Sequence, residues 1–140
     1  MDKQAIQNLI KAALEVRERA YCKYSGFAVG AALKADDKVI SGCNVENASY
    51  GGTVCAERAA FCTAIGEGYN DFSAIAVAGG TQGNVPADYC PPCGICRQFM
   101  TEFCDKDFKI IVAKSLTEYK IFTLGELLPE SFLLQNIKKP

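Results

Sequence analysis

Three cysteines follow one another at intervals of three residues in the segment ADYCPPCGICRQF: Cys90, Cys93 and Cys96. They form two overlapping C-x-x-C pairs that share the middle sulfur. Such a pair can bind a metal ion or form a redox-active dithiol. Another cysteine, Cys55, lies in the separate segment TVCAERAA, two residues before Glu57. Which of these sulfurs act together determines whether the chain binds a metal ion or carries out dithiol redox chemistry.

The composition narrows that chemistry, because the chain contains eight cysteines and no histidine. Any metal must be held by thiolates or carboxylates, and any general base must be Asp, Glu, Lys, Tyr or Cys. Serine triads and Cys-His dyads are excluded. The first twenty residues are interrupted by charges and show no cleavable signal, so we expect a cytoplasmic protein whose thiols stay reduced. Metal binding or burial is therefore expected for the cysteines, not disulfide formation.

Cys55 and Cys93 each stand at the predicted start of a helix. Helix N-termini carry unpaired N–H groups and a partial positive charge, which lower thiol pKa values and favour thiolates. Cys93 and Cys96 are three residues apart, so they share one helical face and can bind one ion. With Cys55 they make three ligands, and a fourth position left to water is typical of catalytic zinc. A fourth sulfur, such as that of Cys90, would make the closed pattern of a structural zinc.

Glu57 is the acidic residue closest to these cysteines in sequence. On a regular helix it lies about 200° around the axis from Cys55. The two side chains can serve one site only if the metal lies near the end of the helix. The other four cysteines fall inside predicted strands and helices, where a thiol is usually a small buried apolar residue; they are Cys22, Cys43, Cys62 and Cys104.

The rest of the pattern indicates one domain over residues 1–140. A net charge of −1 without a long basic block argues against a nucleic-acid surface. No apolar run approaches the ~18 residues that cross a bilayer, so no membrane partner is expected. Apolar periodicity predicts elements in the order α-β-β-α-β-α-β-β-α. A hairpin followed by β-α-β crossovers gives a three-layer α/β/α sandwich around a mixed five-stranded sheet. The predicted helices are 1–22, TVCAERAAFCTAIGEG, 93–104 and LGELLP. YSGFAVGAALKA is predicted as a turn followed by a strand, and the other strands are KVISGCNV, FSAIAVAGG, FKIIVAK and EYKIFT.

The segments CAER (55–58) and PCGICRQ (92–98) together resemble the zinc-dependent nucleoside deaminases, in the variant with cysteine as the first ligand. YSGFAVGAAL, GCNVENASY and GELLPESF extend the resemblance to Phe132. The chain looks like the short, homotetrameric form of cytidine deaminase. The resemblance implies hydrolytic deamination of cytidine and deoxycytidine to uridine and deoxyuridine, with release of ammonia, in pyrimidine salvage.

The resemblance also implies a role for each matching residue. Cys55, Cys93 and Cys96 hold one Zn²⁺ per subunit, whose fourth ligand is the attacking water, and Glu57 moves the protons. Arg58 and Gln98 donate hydrogen bonds to the ligand sulfurs. The remaining matches contact the nucleoside: Phe27 packs on the base, the Ala56 N–H binds it, Asn44 and Glu46 bind the ribose, and Ala48, Tyr50 and Phe132 come from neighbouring subunits.

Three other interpretations remain open at this stage. A related nucleoside deaminase of the blasticidin type shares the C-x-E core. A non-catalytic zinc-stabilised binding module would use Cys90 as a fourth ligand and leave Glu57 without a role. A thiol-disulfide oxidoreductase would use one C-x-x-C pair. Cys90 belongs to none of the matching motifs, and two prolines separate it from Cys93. We therefore predict that it is not a zinc ligand.

Overall fold

The computed structural model describes residues 1–134, and its elements follow the predicted order. The helices are α1 (Lys3–Val16), α2 (Ala56–Gly66), α3 (Gly94–Met100) and α4 (Leu124–Leu127), with short 3₁₀ turns at Arg17–Arg19 and Tyr50–Gly52. The strands are β1 (Phe27–Ala35), β2 (Lys38–Cys43), β3 (Phe72–Thr81), β4 (Lys109–Ala113) and β5 (Tyr119–Thr123).

All five strands join one mixed sheet in the order β2-β1-β3-β4-β5. The first two form an antiparallel hairpin whose turn contains Asp36 at φ 52°. β1 also pairs antiparallel with β3, and β3 pairs parallel with β4, the two being connected through α3. β5 closes the edge antiparallel to β4. The mixed five-stranded sheet predicted from the sequence is confirmed.

Helices cover both faces of the sheet, which confirms the three layers. Alternate residues of β3 divide between two cores because successive side chains of a strand point to opposite faces. Ala74, Ala76 and Ala78 pack with α1, whereas Ile75 and Val77 pack with α2 and α3. β3 is therefore buried on both sides and forms the centre of the molecule.

All four helices predicted from the sequence are longer than those in the structure, the second and fourth by a few residues at their ends. The first ends at Val16 and continues only as the 3₁₀ turn Arg17–Arg19. The helix predicted over 93–104 spans only Gly94–Met100. Just beyond its end, the Thr101 hydroxyl donates to the Gln98 carbonyl at 2.6 Å, a local bond that competes with the helical pattern.

The close approach of α2 to the sheet fixes where its first residue lies. A Cβ on Gly42 of β2 would stand 2.5 Å from the backbone nitrogen of Ala60, so only glycine fits there. In residues 1–134 no helix is both long and apolar enough to cross a membrane.

Candidate active site

Two helix starts bring the predicted cysteine ligands together. Cys55 precedes α2 and Cys93 precedes α3, both with extended backbone, and Cys96 is buried in the first turn of α3. The three sulfurs lie within 4.8 Å of one another, and the Cys55 and Cys93 sulfurs are 3.8 Å apart. In a tetrahedral site with Zn–S bonds of ~2.3 Å, two sulfurs stand ~3.8 Å apart. The donor set and its spacing fit one zinc ion.

Cys90 is not a member of this group, as predicted: among residues 1–134 the three-sulfur cluster contains only Cys55, Cys93 and Cys96. Cys90 lies half-buried on the wall of the cavity beside them. Burial is the main reason that the pKa of its thiol rises to about 11. A thiol that stays protonated at neutral pH is a poor metal ligand, because the thiolate is the ligating form.

Arg58 donates directly to the sulfur cluster. Its Nη2 lies 3.3 Å from the Cys55 sulfur and 3.1 Å from the carbonyl oxygen of Thr53. A hydrogen bond from the Cys96 thiol, followed by those from Arg58 and Cys93, lowers the pKa of Cys55 to about 5. Cys96 keeps the shared proton, so its own pKa is raised. A thiolate is thus stabilised in the cluster even without metal, consistent with the predicted role of Arg58.

Glu57 lies in the first turn of α2 and is only 4% exposed. Burial raises the pKa of its carboxyl to about 7, with a further contribution from the negative charge of Cys55. The condition set by the sequence is met, because Cys55 stands before the helix in an extended conformation. Its sulfur and the Glu57 side chain therefore border one cavity at the helix end. A carboxyl with a pKa near neutrality can both take and give a proton.

That cavity, of about 320 Å³, opens beside the cluster where β1 begins and the segments after β2 and β3 converge. It is larger than one water needs and of the size that takes a small organic molecule. Its lining brings together most of the residues predicted from the resemblance: Ser25, Phe27, Val29, Asn44, Glu46, Tyr50, Thr53, Cys55, Ala56, Glu57, Cys90, Pro91 and Cys93.

Asn44 and Glu46 are both buried, and backbone bonds fix their orientation. The Asn44 amide accepts from the Val29 N–H at 2.9 Å and donates to the Phe27 carbonyl at 2.8 Å. Glu46 accepts from the N–H groups of Tyr24 and Ser25, both at 3.1 Å, and from the Ser25 hydroxyl at 2.6 Å. One amide hydrogen and several carboxylate lone pairs remain for a ligand.

Phe27 and Ala56 also lie where the resemblance expects them. Phe27 is 43% exposed and lines the cavity, so its ring is accessible to a ligand there. Ala56 is the first residue of α2, where backbone N–H groups have no partner within the helix.

The three residues expected from neighbouring subunits divide into two groups. Tyr50 lines the cavity of its own chain. Ala48 and Phe132 are exposed and outside this lining, and Phe132 is 60% exposed. Both are free in the single chain to contact another copy.

The prediction for Gln98 differs from the structure. Its amide nitrogen donates to the Thr101 hydroxyl at 3.2 Å and to the Phe132 carbonyl at 2.7 Å, not to a ligand sulfur. Both amide hydrogens are used, so none remains for the cluster. The reason is geometric: the carbonyl of Phe132, 34 residues along the chain, comes within reach of the amide.

Sequence reasoning missed two residues that shape the site. Ser25 binds Glu46, and a hydroxyl one residue before Gly26 in a predicted turn is a weak signal for such a role. Arg17 interrupts the apolar stripe of the first helix and is nevertheless only 4% exposed. A charged residue at a position where the helical period expects an apolar one was the available signal.

Comparison with known proteins gives a consistent result. The family model of the cytidine and deoxycytidylate deaminase zinc-binding region matches residues 3–112. A cytidine deaminase of Halalkalibacterium halodurans is 47% identical over 132 residues, covering 94% of this chain and 96% of the relative. One from Sporosarcina psychrophila is 40% identical over 133 residues, or 94% of each chain. The crystal structure of cytidine deaminase from Burkholderia pseudomallei superposes with a TM-score of 0.82 and 44% identity, covering 94% of this chain and all of that one.

Proposed function

The chain belongs to the cytidine and deoxycytidylate deaminase family, and we propose that it is a zinc-dependent cytidine deaminase acting on cytidine and deoxycytidine. The products are uridine or deoxyuridine and ammonia, with water as the second substrate. The observation that carries the proposal is that Glu57, buried and with a pKa near 7, shares one cavity with the three-cysteine cluster.

Zinc, when bound by Cys55, Cys93 and Cys96, would lower the pKa of a bound water so that hydroxide is available near neutral pH. Glu57 would accept one proton from that water and deliver it to N3 of the cytosine. It would then accept the second proton, from the hydroxyl added at C4, and deliver it to the amine, which departs as ammonia. A pKa near the working pH suits both transfers, since a stronger acid would not accept the proton and a stronger base would not release it. Arg58, hydrogen-bonded to the Cys55 sulfur, withdraws negative charge from the thiolate.

Substrate binding in this proposal uses the polar and aromatic lining of the cavity. Asn44 and Glu46 bind the ribose with the amide hydrogen and carboxylate oxygens that β1 and its preceding turn leave free. The Phe27 ring packs against the pyrimidine, and the backbone N–H of Ala56 binds the base. Pro91 lines the cavity and, having no backbone N–H, offers only its carbonyl to the leaving ammonia.

We further propose a homotetramer in which subunits share active sites. The support is that Ala48 and Phe132 are exposed and outside the cavity of their own chain. Ile95 at the start of α3 is 66% exposed, an apolar side chain suited to an interface between copies.

A mixture of two inactive variants, Glu57→Gln and Phe132→Ala, dissociated and reassociated together, is expected to regain activity through hybrid sites. Two variants that stay inactive when mixed would contradict shared sites.

The proposal includes a cytoplasmic location and a role in pyrimidine salvage. None of the eight cysteines, all within residues 1–134, forms a disulfide, and a reducing compartment would keep the three proposed zinc ligands available. The four-sulfur binding module has no support, because Cys90 is not in the sulfur cluster and Glu57 borders the cavity. The thiol-disulfide oxidoreductase is likewise unsupported, since it assigns no role to Glu57.

The deciding experiment follows the loss of cytosine absorbance and the release of ammonia when the zinc-loaded protein is incubated with cytidine or deoxycytidine. Turnover of either, abolished in the Glu57→Gln variant, supports the proposal. A protein that binds zinc but releases no ammonia would overturn it. Blasticidin in the same panel separates the related deaminase, which would act on it in preference to cytidine.

A further inference from the structure

Arg17 takes no part in the proposed chemistry, yet its guanidinium is one of four polar or charged side chains buried in residues 1–134. The other three, Asn44, Glu46 and Glu57, all line the cavity. We propose that Arg17 is a positioning residue that holds the wall of the nucleoside cavity in place. The inference rests on the proposed function for the identity of the ligand.

The Arg17 guanidinium donates four hydrogen bonds, and all four acceptors are backbone carbonyls. Nε donates to Ala28 at 3.2 Å and Nη1 to Asn84 at 2.9 Å. Nη2 donates to Gly80 at 3.1 Å and to Thr81 at 3.3 Å. Neither of the ion pairs found in residues 1–134 includes Arg17. A single side chain thus connects the start of β1, the end of β3 and the segment after it.

Burying a guanidinium here would be energetically unfavourable if Arg17 only filled space. Burying a guanidinium costs free energy unless its donors are satisfied, and an apolar side chain would pack between α1 and the sheet without that cost. A rigid planar fork that reaches several carbonyls at once is the property that no apolar residue and no lysine provides. The carbonyls it binds lie 11 to 67 residues away along the chain, so its effect is on tertiary geometry.

The segment that Arg17 holds, residues 81–90, lies directly on the end of β3. A Cβ built on Gly80 would stand 3.1 Å from Pro86 Cα, and one on Gly79 would stand 2.8 Å from the Cys90 sulfur. The same position on Gly79 is 3.1 Å from the Phe27 ring. The two glycines leave just enough room for the segment to lie flat on the strand.

The segment then enters the cavity wall. Its last residue, Cys90, and the following Pro91 line the cavity, facing Phe27 across the bare backbone of Gly79. Ala28, whose carbonyl Arg17 binds, is the neighbour of Phe27. Arg17 therefore connects both walls, and its loss is expected to displace Cys90 and Pro91 relative to Phe27. The ligand-binding step should be affected more than the proton transfers, since Glu57 is held by α2.

The test compares zinc-loaded wild type with Arg17→Met, which keeps the unbranched apolar stem of the side chain and removes its donors. We expect the KM for cytidine to rise roughly tenfold or more, with kcat changed by less than about threefold. Amide hydrogen exchange should accelerate in residues 81–90 and remain at wild-type rates in α2. The matched control Arg19→Met, an exposed arginine of the same 3₁₀ turn, should change neither quantity.

If Arg17 only stabilises the fold and does not position the cavity wall, the result is different. Loss of folded protein lowers the apparent turnover, leaves KM unchanged and accelerates exchange throughout the sheet, and this outcome would overturn the proposal. Should wild type itself fail to deaminate cytidine, the proposed function falls. The exchange pattern then decides the positioning claim alone, which is supported if the change is confined to residues 81–90 and overturned if it is not.

A second variant changes the strand side of the contact between β3 and residues 81–90. It tests the proposal if Arg17→Met does not fold. Gly80→Ala places a methyl group 3.1 Å from Pro86 Cα and 3.5 Å from Arg17 Nη2, so the segment must shift away from the strand. We expect a rise in KM in the same direction. Gly66→Ala, where no atom lies within 4 Å of the new Cβ, is the matched control. A Gly80→Ala protein with wild-type KM and wild-type exchange would overturn the proposal.

Discussion

Replacing Glu57 by glutamine separates the chemical role of this residue from its effect on stability. Glutamine has nearly the same size and fits the same position in α2, but it neither accepts nor releases a proton at neutral pH. A positioned acid-base group contributes on the order of 10²- to 10⁴-fold to the rate, and here one group makes successive transfers. We expect kcat to fall by at least about 100-fold, with one zinc ion per chain retained.

The same substitution should stabilise the protein, and only above acidic pH. Burial raises the pKa of Glu57 from 4.5 to about 7, so the folded state binds a proton that the unfolded state has released between these values. Wild type therefore loses stability as pH rises from 4.5 to 7, and the loss is constant above 7. A shift of this size corresponds to about 3 kcal/mol in the free energy of unfolding. The Glu57→Gln variant has no carboxyl to deprotonate here, so its free energy of unfolding is expected not to fall in this way.

The assay is thermal unfolding of metal-free wild type and variant at pH 5, 6, 7 and 8, because a bound zinc ion would itself change the pKa of Glu57. Cytidine turnover and zinc content are measured on the zinc-loaded proteins. The melting temperature of the variant should exceed that of wild type by a margin that grows from pH 5 to pH 7 and then stays constant. Glu67→Gln, at the exposed end of the same helix, is the control and should show no such growth. Turnover within tenfold of wild type, or a margin independent of pH, would refute the reasoning.

Three further outcomes follow from the site. Cys96→Ala should lose zinc, whereas Cys90→Ala should retain one zinc per chain by elemental analysis; equal zinc loss in both would contradict the three-sulfur cluster. Arg58→Met should weaken zinc binding by roughly 10- to 100-fold, measured by competition with a chelator, and wild-type affinity would remove its assigned role. A hydrogen bond from the Ser25 hydroxyl is the main reason that the pKa of Glu46 is lowered in the folded state. Ionised Glu46 therefore stabilises the fold above the pKa that it has in the unfolded state. This contribution is lost as the pH falls through the lower pKa of the folded state. Ser25→Ala should move the midpoint of acid unfolding, followed by circular dichroism, to higher pH, and an unchanged midpoint would contradict this.

The features that the sequence predicted correctly depend on short-range patterns. Apolar periodicity and turn residues determine the order of elements, and helix starts placed Cys55 and Cys93 where the structure has them. The i, i+3 spacing of Cys93 and Cys96 is likewise local. Even the condition on Glu57 was local, since it required only that Cys55 precede the helix and not lie within it.

The features that could not be predicted depend on partners far along the chain. Gln98 binds the carbonyl of Phe132, 34 residues away, and no local pattern indicates that contact. Arg17 interrupts an apolar stripe and is buried where it binds the carbonyls of Gly80 and Thr81 at the end of β3 and of Asn84 after it. Such contacts are set by how the segments assemble, and each concerns a residue whose side chain satisfies backbone groups of another element.

The chain contains no histidine, so another side chain must act as the base near neutral pH. Histidine has a pKa near neutrality without any help from its surroundings, whereas an ordinary glutamate does not. Burial of Glu57 raises its pKa into that range and so supplies the missing base. Three thiolates in place of imidazoles leave the zinc with its ligands at a formal charge of −1 and weaken the acidification of bound water. Arg58, hydrogen-bonded to the Cys55 sulfur, offsets part of that charge. Substituting either the carboxylate or the arginine should alter the pH dependence of turnover, whereas substituting Cys90 should not.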